Sequence, residues 1–361
     1  MMRTCGSKGL AVAGLLLGIG LLLIGIAVIL RPEIARFGMS SDWSITGIKF
    51  TRSFTETITE NIKFIEVETI NGKVAVTGWD KDYIEILVEQ SIRVSNEDLE
   101  DEYLQKTTPI ISIEEGKLMI VTPVLQRTNE LRGQGASIYL SVPKKHLEDI
   151  KVRTSNGAMT FKSIAASING RSSNGGLELI SVSGAVTLET SNAPIFIEDS
   201  AGTMELRSTN GSFNGRRISG SFVIETSNAP VTIEDGDLNL SVSTTNGAIT
   251  ITESTLFGSE NYLKTSNARI LCDALLPETG IFEIMTTNGQ VNLLVDGSLK
   301  AEFDASTTNG SVNLKDLMVA VTSSTSTSMK GNLNGGNGLL ITLKTSNSNI
   351  SIQNRKKENS I

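Results

Sequence analysis

From residue 151 onward, apolar side chains fall on alternate positions in short runs, and each run is interrupted by a similar polar stretch ending in Asn. Three and five residues after the Asn stand Met159 and Phe161, Leu177 and Leu179, Ile195 and Ile197, Val231 and Ile233, Ile249 and Ile251, Val291 and Leu293, and Val312 and Leu314. Such alternation predicts a strand with one buried face. A second alternation precedes the Asn: Val186 and Leu188, Met204 and Leu206, Phe222 and Ile224, Leu240 and Val242. Each repeat therefore holds two or three strands.

The repeat is regular. Asn156, Asn174, Asn192, Asn210, Asn228 and Asn246 are spaced by 18 residues, and Asn267, Asn288 and Asn309 follow at intervals of 21. Asn347 lies 38 residues further on, a distance read here as two turns with one Asn masked. The copies read Arg-Thr-Ser-Asn156-Gly, Arg-Ser-Ser-Asn174-Gly, Glu-Thr-Ser-Asn192-Ala and so on. A unit this short cannot bury its own apolar face, so copies must stack in register to make a continuous core. The fold class expected is all-β, a parallel β-solenoid with rungs about 4.8 Å apart. Counting back by twos from Asn192 through Thr190, Leu188 and Val186 places the Asn and its Thr inside, at a corner. Stacked Asn side chains would then satisfy one another as an amide ladder. The residue after the Asn is small, as a crowded corner requires.

The chain divides by pattern into a tail at 1–8, an apolar segment at 9–30, a linker at 31–44, a β-rich cap at 45–150, the solenoid at 151–352 and a polar tail at 353–361. Residues 9–30 carry no charge and suffice for a helix that crosses a bilayer. Arg31-Pro32-Glu33 follows with no small-residue cleavage pattern, so the segment is read as a retained anchor instead of a signal peptide. Arg3 and Lys8 precede it, which favours a cytoplasmic N-terminus. The expectation is a single-pass protein of the plasma membrane with most of its chain outside. Within the cap, residues 70–80 read as one early rung and 83–94 as a paired strand. Residues 95–108 suit a helix, and 126–135 a polar loop.

Charge and composition narrow the function. A net charge of −7 without a basic block excludes a nucleic-acid footprint. Cys5 and Cys272 lie on opposite sides of the apolar segment and cannot form a disulfide framework. Cys272 occupies an inward slot between Ile251 and Leu293 and is read as a packing residue. His146 is the single histidine, so Ser-His-Asp catalysis and histidine metal clusters lack their parts. Outward columns alternate in sign: Arg171, Glu189, Arg207, Glu225, and Glu198-Asp199, Arg216-Arg217, Glu234-Asp235. The acidic pairs could take calcium or drive glycan cleavage, but the intervening arginines oppose both. Asn210-Gly-Ser, Asn309-Gly-Ser and Asn349-Ile-Ser match the glycosylation sequon, of which the first two are read as inward ladder positions. No catalytic, cofactor or metal residue is expected.

Glu68-Thr69-Ile70-Asn71-Gly72-Lys73-Val74 through Gly78-Trp79-Asp80, followed by the reiterated Thr-Ser-Asn-Gly copies, resembles a bacterial and archaeal domain-of-unknown-function family of adhesins with β-strand repeats. The similarity spans roughly residues 50–352. It implies a single-stranded, right-handed parallel β-helix at a prokaryotic envelope and carries over no catalytic residue. The function expected first is a membrane-anchored, non-catalytic scaffold that binds cell-wall polymer, another cell surface or an envelope protein. An envelope-stress or regulatory accessory protein is second and a glycan-cleaving enzyme third.

Overall fold

The computed structural model of the chain describes residues 47–355. The expected tail, anchor and linker at 1–44 and residues 356–361 lie outside them. Among the described residues no helix is long and apolar enough to cross a membrane.

Two parallel sheets run the length of the molecule, one from the strands before each Asn and one from the strands after it. Register follows the repeat: Val186 pairs with Met204, Met204 with Phe222 and Phe222 with Leu240 on the first sheet. Leu177, Ile195, Phe213, Val231 and Ile249 form the matching column on the second. Residues 18 apart thus stack side chain on side chain, and the alternating positions close one continuous apolar interior. Phe161, Phe222 and Phe282 are among its fully buried members. Each large apolar side chain so buried contributes about 1.5–3 kcal/mol relative to exposure. Where the interval widens, the first extra residues form the bend at 257–259. Asn261, fully buried, holds that bend by accepting from the Leu240 N–H at 2.8 Å and donating to the Phe257 carbonyl at 2.9 Å.

Parallel pairing does not begin at residue 151. Strands Phe64–Glu68 and Val74–Trp79 pair in parallel with Asp149–Arg153 and Met159–Ala165, so the ladder crosses residue 150 without a break. Along the axis this first rung sits between that one and a rung formed by Lys117–Val121 and Leu131–Pro143. Beyond it, Ile48–Ile58, Ile84–Val94 and Leu131–Pro143 make antiparallel pairs. A short helix, Glu100–Lys106, covers a small separate core that includes Ile92, Val94, Tyr103, Leu104 and Leu131.

The C-terminal end repeats this device and corrects the reading of Asn347. The chain skips one rung, lays down Ala301–Ser306 and Val312–Lys315, and turns through an antiparallel hairpin, Val319–Ser324 with Ser328–Leu333. It then returns to fill the gap. Leu339–Lys344 pairs in parallel with both Gly280–Met285 and Ala301–Ser306, and Ile350–Asn354 pairs with both Val291–Val295 and Val312–Lys315. The 38 residues between Asn309 and Asn347 are therefore not two further turns. They comprise a hairpin cap and one inserted rung.

Candidate functional site

Every rung bends between its two strands, and the bend is held from inside by the hydroxyl residue two before the Asn. Thr154, Ser172, Thr190, Thr226, Thr244, Thr265, Thr286, Thr307 and Thr345 are buried there. Ser172 Oγ accepts from the Gly175 N–H at 2.9 Å and donates to the Gly157 carbonyl of the preceding rung at 3.2 Å. Thr286 Oγ1 repeats both bonds, from the Gly289 N–H and to the Ala268 carbonyl, each at 3.1 Å. The bend is tight: a Cβ on Gly175 would come within 1.7 Å of the Gly157 carbonyl oxygen.

The Asn side chains form a ladder on the outside of this bend. Asn174 Nδ2 donates to Asn156 Oδ1 at 2.7 Å, and Asn192, Asn210, Asn228 and Asn246 continue rung by rung at 2.7–2.8 Å. Asn267 donates to Asn246 and Asn288 to Asn267. Asn347 then donates to Asn288 at 2.6 Å and Asn309 to Asn347 at 2.7 Å, following the inserted order of the rungs. Asn156 in turn donates to Asn71.

All ten of these residues are exposed, which overturns their inward placement. Alternation by twos holds only for extended backbone, and the chain turns between the buried Thr and the Asn. The polar group buried at the corner is the hydroxyl, while the amide ladder faces water. Asn210 and Asn309, the sequon positions read as inward, are exposed with the rest.

Beside the ladder runs a groove. A cavity of about 390 Å³ is lined by Glu189, Thr190 and Ser191 and by the equivalent triplets that begin at Arg207, Glu225 and Ser243. A second, of about 530 Å³, is lined by the same positions nearer the N-terminal end, including Arg153, Arg171 and Ser173, together with Val124. Both are made by the three residues before each Asn, so they are stretches of one furrow along the axis. Its walls carry the alternating charges: Arg171 meets Glu189 at 2.8 Å and Arg207 meets Glu225 at 2.8 Å. Ser155, Ser173, Ser191, Thr209, Ser227 and Thr245, the residues immediately before the Asn, make no side-chain hydrogen bond among the described residues. The groove thus presents a column of uncommitted hydroxyls. Sequence reading missed its role, although a Ser or Thr before nearly every Asn was the available signal.

The second outward charge column lies at another bend. Ser163, Ser181, Asp199, Arg217, Asp235 and Glu253, again 18 residues apart, all have left-handed backbone with φ between 50° and 56°. Arg217 clasps Asp199 at 2.5 Å and Glu198 at 2.6 Å. This hydrogen bonding holds the Asp199 carboxyl below its ordinary range and raises the guanidinium above its own. Arg216 lies 3.8 Å from Glu234. Among the described residues no group of His, Cys, Asp and Glu is gathered to hold a metal ion. His146 is exposed. Cys272 is fully buried in register with Ile251 and Leu293, and burial raises its thiol pKa.

A family model described as Toastrack DUF4097 matches residues 62–255. No curated protein matches the chain. Solved structures similar to it include the following three. A candidate cell-adhesion protein from Clostridium sporogenes ATCC 15579 is 9% identical, with 84% of this chain and 100% of that one covered and a TM-score of 0.20. A candidate adhesin from Bacteroides fragilis NCTC 9343 is 12% identical over 85% and 97%, with a TM-score of 0.27. A candidate lipid-binding protein from Parabacteroides distasonis ATCC 8503 is 13% identical over 86% and 99%, with a TM-score of 0.26.

Proposed function

The chain belongs to the Toastrack DUF4097 family, and from that premise we propose that it is a non-catalytic binding scaffold whose groove holds an extended polar polymer, such as a cell-wall glycan, along the solenoid axis. In this reading residues 9–30 anchor it at the plasma membrane with the N-terminus cytoplasmic, and the solenoid stands outside. The observation that carries the proposal is the groove itself. One three-residue unit builds it repeatedly, and the hydroxyls immediately before each Asn, from Ser155 to Thr245, have no hydrogen-bond partner among the described residues. A ligand lying along the axis meets a fresh hydroxyl about every 4.8 Å. Many weak polar contacts then add through repetition, as in multivalent attachment, without any deep pocket.

A chemical reason supports binding without turnover. Catalytic ledges need an acid, a base and a charge-neutralising group converging on one bond. Here the carboxylates of the groove wall face arginines at salt-bridge distance and have no histidine among them. The test is co-sedimentation of the full chain, in detergent, with purified cell-wall polymer. Replacing Ser191, Thr209 and Ser227 together by Arg fills the furrow and should weaken binding at least tenfold. Asn214→Arg, on an exposed position of the other sheet, should leave it unchanged. Binding indifferent to the groove triple, or product release from the polymer, contradicts the proposal.

A further inference from the structure

At the C-terminal end of the solenoid, strand Val319–Ser324 has, among the described residues, a single neighbour, Ser328–Leu333. Its other edge is open. Only Val319 of its six residues is partly covered, so both faces as well as the edge meet solvent. The outer strand at the opposite end of the same sheet, Ile110–Glu114, is different: its three central residues are partly covered. Residues 318–329 read Met-Val-Ala-Val-Thr-Ser-Ser-Thr-Ser-Thr-Ser-Met, without one charge. Met318 is 76% exposed and Val321 49%. An open strand edge is a template for another strand, and folded proteins ordinarily guard it with charge, Pro or a covering element. None of these is present here among the described residues; the irregularity is a bulge between Val321 and Ser323.

We propose that this edge is a docking strand for the same strand of a second copy, joined antiparallel about a two-fold axis. Identical strands in that arrangement place each residue opposite one of its own segment, and like charges directly opposed are destabilising. The uncharged run meets that requirement. The outer strand Ile48–Ile58 offers no such uncharged run, because it carries Lys49, Arg52 and Glu56. Pairing also brings Val319 and Val321, alternate positions on one face of the strand, beside their counterparts in the second copy. The interface is isologous, so it closes at two copies and does not propagate into a fibre. Strand hydrogen bonds run along the solenoid axis, so the two solenoids lie end to end with their N-terminal ends at the far extremes. Under the anchor reading of the preceding section, the partner copy projects from a facing membrane.

The test uses the full chain in detergent with Cys5→Ser, which leaves buried Cys272 as the remaining thiol. Sedimentation should show a dimer, and Val321→Lys with Thr322→Lys should weaken it at least tenfold, while the thermal midpoint measured at a dilution where both chains are monomeric stays unchanged. Single cysteines placed at 320–324, mixed pairwise and mildly oxidised, should cross-link with a two-residue alternation, because facing strand residues bring their Cα atoms within disulfide range. A cysteine at Asn214 should not cross-link. A chain that is monomeric at about 100 μM overturns the proposal. So does a dimer that survives both lysines, or cross-linking without periodicity. Because none of these readouts depends on polymer binding, failure here and failure of the groove are separable.

Discussion

Asn210 donates to Asn192 and accepts from Asn228, with all three side chains in water. Loss of both bonds in Asn210→Ala should cost about 1 kcal/mol, the scale of net exchange with solvent and well short of a buried orphan amide. Asn210→Asp should cost more, since a carboxylate keeps the acceptor for Asn228 but turns an oxygen toward Asn192 Oδ1. Urea midpoints of the two variants check this order. Corner glycines behave differently. Gly175→Ala forces a carbonyl of the rung below to move and should cost about 1–3 kcal/mol, as overpacking does. Identity and spacing of the ladder residues were legible in the sequence, because a period of 18 is visible without any structure. Their orientation was not: the chain turns through the single residue between the buried hydroxyl and the Asn, and the alternation that assigns sides is lost there.

The inserted first rung shows what holds an element that arrives out of chain order. Glu66, on strand Phe64–Glu68, bridges both neighbours, meeting Lys117 at 2.6 Å and Lys151 at 2.5 Å. Hydrogen bonds from Lys117 and then Lys151 hold its carboxyl below the ordinary range. A carboxyl lowered on folding adds stability that is complete above its unfolded value near 4.5 and disappears as pH falls through its folded value. Wild type should therefore lose stability on acidification toward pH 3 more steeply than Glu66→Gln. At pH 7 the substitution should cost about 1–2 kcal/mol, the worth of charge-assisted bonds at a half-open site. Chemical denaturation at the two pH values decides it. No pattern in the sequence pointed to this pairing, because Lys117 lies 51 residues away across the helix and a hairpin.

At the scale of the molecule, both ends are closed by a rung that the chain first passes and later fills, or lays down and later brackets. Removing residues 338–361 empties the C-terminal slot and leaves Gly280–Met285 and Ala301–Ser306 without their shared partner. Phe282 and Phe303 would then lose the cover of Ile341. Residues 301–333 should lose hydrogen-exchange protection and become open to proteolysis, while the rungs from Leu177 to Ser243 keep theirs, because a solenoid's stability is carried by nearest neighbours. Equal protection in the truncated chain would contradict the inserted topology. The sequence alone determined that strands alternate, which of their faces is apolar, that copies stack in parallel at a step of 18, and which residues share a column; each follows from local periodicity. The order of rungs at both ends, the outward turn of the Asn ladder, the groove beside it and the bare C-terminal edge were decided only in the folded molecule. The reason is degeneracy: near-identical rungs present near-identical apolar positions and backbone groups, so local pattern permits many stacking orders, and only simultaneous burial and pairing of the whole chain selects one.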